Sequence, residues 1–194
     1  MDENIYQTLR GHICIRDVDT NEILVDKDNA IHYENFSISL ARTVANRTDS
    51  WIQSMVFGNG AATVSGTGTI TYLPPNVIGT RAQLYNQTYS TVVNDISPLN
   101  KTPNDNYITT AHVSGTTYSD VIITCNLSVG EPYGQAAFDA ATDISSKFIF
   151  NEIGLVGYDP NGQGKLLTHV IFSPVQKSLN RRIEIVYTIR IQTV

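Results

Sequence analysis

The sequence predicts a mainly β protein, an antiparallel sheet or sandwich with one amphipathic helix at about residues 33–47 and a long polar loop excursion. Two observations lead to this fold class. Short β-prone runs recur along the chain, and most of them end in turns rich in Gly, Pro and Asn. A helical repeat of apolar residues, by contrast, is convincing in one place only. We therefore expect sheet strands to form the core and the helix to pack on them.

Length and composition favour a single β-rich domain over residues 1–194. The chain has 41% apolar and only 16% charged residues, and its net charge is −5. A chain of this size buries enough surface to fold without disulfides or metals. Basic residues are the minority and form no run, which argues against a nucleic-acid partner. No stretch approaches the roughly 18 apolar residues of a membrane helix, and the acidic start is unlike a signal peptide, so we expect no membrane partner.

The two cysteines are far apart, and each lies beside β-branched residues. Cys14 stands between two isoleucines, and Cys125 follows Ile123 and Thr124. Such positions are typical of small strand side chains, which predicts free thiols in a reducing compartment. A single long-range disulfide is the alternative.

The chain begins with a predicted hairpin. β-Prone residues 12–16 and 23–26 bracket a turn rich in Asp and Asn. Asp17, Asp19 and Asn21 have the spacing of a calcium loop, but Glu22 occupies the position where such a loop requires glycine. We therefore interpret the segment as a turn and not as a calcium site.

The predicted helix lies between the hairpin and the next strand. Tyr33, Phe36, Leu40 and Val44 recur at intervals of three and four residues, as one face of a helix requires. We expect this stripe to be the face that packs on the sheet.

A strand at residues 51–57 follows and ends at Gly58-Asn59-Gly60, where glycine permits positive φ or a close backbone approach. Residues 61–106 then form the excursion, which is rich in Thr, Asn, Gly and Pro and is expected to hold a few short strands. Loops of this length are uncommon in compact domains unless they serve binding. The excursion is therefore the first place to look for a partner surface.

Four tyrosines in or beside the excursion are the candidate interface residues. Tyr72, Tyr85, Tyr89 and Tyr107 combine a large contact area with a polar group, as interface tyrosines do. The same rings stack on sugars, so a surface glycan is the alternative ligand.

The remainder of the chain predicts further strands. A loop or a single helical turn is expected at residues 134–141, and the turn at residues 159–164 joins two strands into a hairpin. The strand at 182–192 shows the clearest alternation in the chain, and its apolar positions are predicted to face the core. The predicted strands are residues 107–113, 120–129, 148–156, 165–172 and 182–192.

No catalytic pattern stands out in the sequence. The glycine pairs at 58–60 and 66–68 do not complete a dinucleotide-binding fingerprint. Gly164-Lys165 resembles the end of a phosphate loop, but Asp159 stands where its first glycine belongs. No G-x-S-x-G motif is present. We therefore predict that the protein is not an enzyme and takes no cofactor.

The four histidines are scattered along the chain without paired spacing. We interpret each as a hydrogen-bonded strand or surface residue, and we predict no metal site. The histidines are His12, His32, His112 and His169.

Several segments in order resemble the tail-fibre, tail-collar and baseplate type structural proteins of tailed bacteriophages. The resemblance begins with residues 51–60, which end in Phe57-Gly58-Asn59-Gly60, and continues with Pro74-Pro75-Asn76. It then includes Asn151-Glu152-Ile153-Gly154-Leu155 and the strand at 165–172. In that family a strand ending in an FGxG turn precedes an NEIGL strand, a hairpin turn and a Leu-rich return strand.

The resemblance implies a virion structural protein of the tail, baseplate or collar that acts as an assembly or fibre-attachment adaptor. It implies homo-oligomers, contacts with other virion proteins, and assembly in the host cytoplasm before incorporation into the virion. A capsid decoration or neck protein is the first alternative, and a carbohydrate-binding module is the second.

Overall fold

The computed structural model describes residues 6–135, 146–162 and 164–193, and these contain eleven strands and one helix. The predicted loop at 134–141 lies outside the described residues from position 136 onward. The elements are β1 (Gln7–Asp17), β2 (Ile23–Ile31), α1 (Tyr33–Val44), β3 (Ile52–Gly58), β4 (Ala62–Val64), β5 (Ile70–Tyr72), β6 (Gln87–Val92), β7 (Tyr107–His112), β8 (Tyr118–Leu127), β9 (Ile149–Gly157), β10 (Leu166–Gln176) and β11 (Ile183–Thr193).

Nine of these strands form one large, curled antiparallel sheet in the order β6-β3-β9-β10-β2-β1-β11-β8-β7. This confirms the predicted fold class. We call strands β2, β1, β11, β8 and β7 the β11 half, and strands β6, β3, β9, β10 and β2 the β9 half. Apolar side chains from the two halves form a single hydrophobic cluster. In the described residues, no helix is long and apolar enough to cross a membrane.

Strand β2 belongs to both halves. Its first part pairs with β1 from Ile23 to Asn29, and its last two residues, Ala30 and Ile31, pair with His169 and Thr168 of β10. At the change of partner, the Asn29 side chain occupies the space beside Gly11, where a Cβ would lie 1.6 Å from Asn29 Oδ1. A side chain at position 11 would therefore displace the Asn29 side chain at this joint between the halves.

The β11 half follows the alternating pattern of its sequence. Ile183, Ile185, Tyr187 and Ile189 are buried in the core, whereas the residues between them are half-buried. Ile185 lies opposite Ile15 on β1 and Cys125 on β8. Both cysteines are free, as predicted. Burial raises the pKa of the Cys125 thiol, which favours the protonated, unreactive form.

Two arginines hold the β1–β2 turn, in which Asp17 and Asp19 have the spacing of a calcium loop. Asp17 accepts hydrogen bonds from the backbone N–H groups of Asp19 and Thr20, both at 3.0 Å, and from Arg181 Nε at 2.7 Å. Asp19 forms an ion pair with Arg182. The carboxylates therefore close the β1–β2 turn against the start of β11.

The helix differs from its prediction in length and in its buried face. It ends at Val44, before Asn46 adopts a positive φ of 51°. Of the predicted stripe only Phe36 is buried, while Tyr33 and Val44 are exposed. The other buried residues are polar: Asn35 Nδ2 donates to Leu166 O at 2.9 Å, and Ser39 Oγ donates to Ser50 O. Since these bonds fix the helix on the β10 side of the sheet, its apolar stripe is turned partly toward solvent.

Strand β10 is longer than the predicted strand at 165–172 and includes Pro174. The pairing with β9 shifts between Ile171 and Val175, so Pro174 lies in an irregular stretch of the ladder. Proline is tolerated at such bulges because its missing N–H is not required there.

The excursion contributes a layer over the outer face of the β9 half. Its strand β6 pairs with β3 at the sheet edge, and β4 and β5 form a separate hairpin, as the expectation of a few short strands anticipated. Leu84 packs with Val56 of β3 and Leu166 of β10 in a second apolar cluster. A Cβ at position 154 would lie 2.6 Å from Leu166 Cδ1 and 3.3 Å from Leu84 Cδ2. Gly154 therefore lets this layer approach β9.

Candidate functional site

A buried carboxylate on β9 is the centre of the contact between sheet and excursion. Glu152 Oε1 accepts hydrogen bonds from the backbone N–H groups of Gly60 and Asn86, each at 2.9 Å. Its Oε2 accepts one from the N–H of Tyr85, also at 2.9 Å, and lies 2.9 Å from His169 Nε2. Glu152 and His169 are both fully buried. Four donors thus replace the water that a buried carboxylate would otherwise lack.

The hydrogen bonds of His169 fix its tautomer. Its Nδ1 accepts a hydrogen bond from the backbone N–H of Asn76 at 2.8 Å. Its Nε2 therefore carries the ring N–H and donates to Glu152. His169 is thus a hydrogen-bonded strand residue, as predicted.

Two opposing effects set the pKa of Glu152. Burial alone raises it, but the hydrogen bonds from His169 and from the N–H groups of Asn86, Tyr85 and Gly60 together outweigh burial. The pKa of Glu152 therefore lies below its usual value, and the carboxylate stays ionised at neutral pH.

Three asparagines extend this network. Asn151 Oδ1 accepts from the N–H of Ala61 at 3.1 Å, and Asn151 Nδ2 donates to Asn59 O at 3.0 Å. Asn86 Nδ2 donates to Asn59 Oδ1 at 2.6 Å. We call Asn59, Asn86, Asn151, Glu152 and His169 the polar clamp. It joins the C-terminal end of β3, the middle of the excursion, and strands β9 and β10.

The two glycines of the turn after β3 are explained by the clamp. A Cβ at position 58 would lie 2.5 Å from Asn86 O and 2.6 Å from Glu152 Oε1. A Cβ at position 60 would lie 2.6 Å from Asn86 N. Of the two roles considered for these glycines, close backbone approach is therefore the one that applies.

A second buried histidine ties helix α1 to the excursion. His32 Nδ1 accepts from the N–H of Asn35 at 3.2 Å and caps the first turn of the helix. Its Nε2 lies 2.9 Å from the carbonyl oxygen of Gly79 and donates to it, because Nδ1 is the acceptor. His32 and His169 thus both bind residues 76–79. His12 and His112 lie elsewhere and are exposed, and His12 Nε2 lies 2.6 Å from Asp26 Oδ1.

The chemistry open to the clamp is limited by its own bonds. Each oxygen of Glu152 and each ring nitrogen of His169 already has a partner inside the protein. The pair is therefore a structural element that positions the excursion. Within the part of the chain that the structure describes, no three His, Cys, Asp or Glu side chains form a group that could hold a metal ion.

The four candidate tyrosines are divided among three places. Tyr72 and Tyr85 lie near the clamp: Tyr85 OH donates to Pro74 O at 2.7 Å, and its ring centroid is 5.6 Å from that of His169. Tyr89 lies on β6 with its ring centroid 5.7 Å from that of Phe57, and burial raises its pKa to about 12. Tyr107 is half-buried on β7, at the opposite edge of the sheet.

Exposed apolar side chains are concentrated on the excursion. Eight of the fifteen large apolar side chains that are exposed among the described residues lie between positions 61 and 106. The eight residues are Val64, Ile70, Tyr72, Leu73, Ile78, Tyr85, Ile96 and Leu99. We call these eight residues the apolar surface of the excursion. Contiguous exposed apolar surface marks contacts with other proteins or with ligands, whereas single exposed apolar side chains are ordinary.

No family model, curated protein or solved structure matches this chain. Its function is therefore inferred from the clamp and from the apolar surface that the clamp supports.

Proposed function

We propose that this protein is a structural component of a bacteriophage virion, in the tail, baseplate or collar, and acts there as an assembly or fibre-attachment adaptor. In this role it binds copies of itself and other virion proteins through the apolar surface of the excursion. It is made and assembled in the host cytoplasm and becomes part of the virion.

The contact between the two motif segments supports this proposal. The Gly58–Gly60 turn and the Asn151–Leu155 strand carry the most specific part of the resemblance to phage structural proteins. They are more than 85 residues apart in sequence, yet they bind each other through Asn151 and Glu152. The motifs therefore act as one structural unit, which presents the excursion on a fixed base.

The observation that carries the proposal is the apolar surface itself. Ile78 is 88% exposed and Ile96 is 89% exposed, although part-buried hydrogen bonds at Asn76, Gly79 and Asn94 anchor the excursion beside them. Leaving such side chains in water forgoes the stabilisation that burial supplies. A partner that covers them would recover it, and a virion assembled from many chains provides such partners.

Paired substitutions test the assembly role. We expect Ile78→Asp to reduce oligomer formation, measured by size-exclusion chromatography with light scattering, and to reduce incorporation into particles in a complementation assay. Val113→Asp is the matched control, because Val113 is also exposed but lies outside the excursion. Equal behaviour of both variants and the wild type in both assays would contradict the proposal.

Antibody labelling of intact particles distinguishes the tail from the capsid. Gold particles at the tail, baseplate or collar are the expected result. Labelling spread over the capsid or at the neck would favour the capsid decoration or neck alternative, and particles without label would exclude a virion role.

A further inference from the structure

A cavity at the N-terminal end of β3 opens between the sheet and the loop after β6. Its volume is about 590 Å³, and it lies away from the polar clamp. We propose that this cavity binds a neutral sugar ring, which stacks on an aromatic wall and forms a hydrogen bond with Gln53. This inference does not rest on the virion role proposed above, although Ile96 and Leu99 line the cavity and also belong to the apolar surface of the excursion.

The aromatic wall is rigid. Trp51 and Tyr158 stack with ring centroids 4.9 Å apart and an angle of 7° between the ring planes. The N–H of Tyr158 donates to Trp51 O at 2.7 Å, and the N–H of Ser50 donates to Tyr158 O at 2.8 Å. Because the two backbones are hydrogen-bonded in this way, the aromatic wall is preorganised, and ordering it on binding costs little.

The opposite wall is apolar and is tied to the same strand. It consists of Ile96, Pro98 and Leu99. Asn94 holds this loop, since its Nδ2 donates to Ile52 O at 3.0 Å and its Oδ1 accepts from the N–H of Ile96 at 3.1 Å. The backbone at Ile96 is therefore held in place where its exposed side chain lines the cavity.

Gln53 lines the cavity and carries a buried side-chain oxygen that has no hydrogen-bond partner. It is only 7% exposed, its Nε2 donates to Ser97 Oγ at 2.8 Å, and its Oε1 has no hydrogen-bond partner. In the reversed orientation of the Gln53 amide, the NH₂ group takes the place of Oε1 and has no acceptor. A hydroxyl group both donates and accepts, so it would satisfy either orientation of the amide. A buried polar group without a partner is rare in native proteins and calls for such an explanation.

The lining also defines the charge of the ligand. No Asp, Glu, Lys, Arg or His is among the described residues that line the cavity. A charged ligand would lose its hydration there without gaining an ion pair. The complementary molecule is uncharged, with an apolar face for Trp51 and hydroxyl groups for Gln53, and a pyranose ring has both. The volume lies within the range of small-molecule sites, whereas a protein partner needs a surface of about 800 Å² on each side.

Tryptophan fluorescence tests the proposal directly, because Trp51 is the only tryptophan in the chain. The full-length protein is titrated with methyl β-glucopyranoside, methyl β-galactopyranoside and N-acetylglucosamine, and with glucuronic acid as the charged comparison. We expect a saturable change in emission with at least one neutral sugar and a weaker response to glucuronic acid. A saturable response to none of the neutral sugars would overturn the proposal.

Three variants separate this site from binding elsewhere. Gln53→Leu removes the amide and should raise the Kd about tenfold, the effect of one lost hydrogen bond. Ile96→Asp places a charge at the cavity and should abolish binding, and it covers the case in which Gln53→Leu does not fold. Ile78→Asp is the control, since Ile78 is equally exposed but does not line the cavity, and it should bind as the wild type does. Unchanged sugar affinity in Ile96→Asp would overturn the proposal. The proposal would also be overturned if no sugar gave a response and the wild type instead captured a protein partner that Ile96→Asp does not bind.

Discussion

Strands β11 and β9 both lie in the interior of the same sheet, yet they are stabilised in different ways. On β11, buried apolar residues alternate with half-buried residues, so one face packs in the core and the other contacts water. On β9, residues from Ile149 to Leu155 are buried on both faces, and they include Asn151 and Glu152. The apolar core stabilises β11, whereas β9 also forms the buried hydrogen bonds that hold an additional layer. A carboxylate within a buried strand thus indicates an overlying segment of irregular backbone whose N–H groups need an acceptor.

The largest expected effect is a charge on the core face of β11. Ile185→Asp buries a carboxylate among Ile15, Cys125 and their neighbours and should leave insoluble protein, because its cost approaches the roughly 5–15 kcal/mol that stabilises a typical domain. Thr188→Asp, on the half-exposed face of the same strand, should fold and lose less than about 1 kcal/mol. Soluble expression and urea unfolding measure the difference. Equal damage by both substitutions would mean that β11 is covered on both faces, as β9 is.

The second largest effect is expected from replacing the buried carboxylate of β9. Glu152→Gln keeps the shape of the side chain but turns an amide NH₂ toward donors that now bind an oxygen. We expect a loss of about 3 kcal/mol or more in the free energy of unfolding, because each hydrogen bond to a charged group contributes about 1.5–3 kcal/mol.

Glu184→Gln on β11 is the matched control for that substitution. Glu184 is about a quarter exposed and accepts one hydrogen bond from Arg16 at 2.6 Å, so the loss there should be below about 1 kcal/mol. Similar losses in the two variants, compared by urea unfolding, would show that the clamp is no stronger than a surface ion pair.

A smaller effect is expected from Lys177, a buried cation just after β10. Its Nζ donates to the carbonyl oxygens of Ser128 at 2.9 Å and of Ser178 at 3.3 Å. Burial lowers its pKa from 10.5 to about 8, so the unfolded chain binds more protons than the folded chain between these pH values. The contribution of Lys177 to stability is therefore least favourable below pH 8 and improves as the pH rises toward 10.5.

Comparison with Lys177→Met isolates this contribution. In urea unfolding at several pH values, the stability of the wild type relative to Lys177→Met should rise between pH 8 and 10.5. A difference that does not change with pH would mean that Lys177 is solvated in the folded protein.

The smallest effect concerns an ion pair at the rim of the β11 half. The hydrogen bond from Arg181, together with those from the turn backbone, lowers the pKa of Asp17 from 3.8 to about 2. Its contribution to stability is therefore complete above pH 3.8 and is lost as the pH falls toward 2. Asp17→Asn should remove this part of the acid sensitivity, which thermal unfolding between pH 2 and 5 measures. An unchanged acid profile would show that Arg181 does not stabilise the carboxylate in solution.

The sequence was most informative where one face of an element contacts water. The alternation from Ile183 to Ile191 predicted β11 because only one face is deeply buried. The helix was predicted in the right place, but its orientation was wrong, because Asn35 and Ser39 form hydrogen bonds that apolar periodicity does not reveal. Periodicity describes packing of apolar surface and carries no information about which polar side chain finds a backbone partner.

The clamp could be predicted only in fragments. The turn at 58–60 and the strand at 151–155 were singled out through a resemblance, and His169 was interpreted as a hydrogen-bonded strand residue. The bonds that unite them join residues 66 to 93 positions apart, including the backbone N–H of Asn76 and of Asn86. Every residue except proline has such an N–H, so residue type could not reveal the partners. The one local signal is the sequence Glu152-Ile153-Gly154, a charge and a glycine inside an otherwise apolar strand.

The joint at β2 has a mechanical consequence. Among the described residues, the strand ladder joins the two halves of the sheet through two residue pairs, Ala30 with His169 and Ile31 with Thr168, whereas β1 and β11 pair along their whole length. Under a pulling force the ladder should therefore part first at this short joint. Because His169 also holds Asn76, rupture there would release the excursion at the same time. We therefore expect separation of the two halves and release of the excursion to occur together under force.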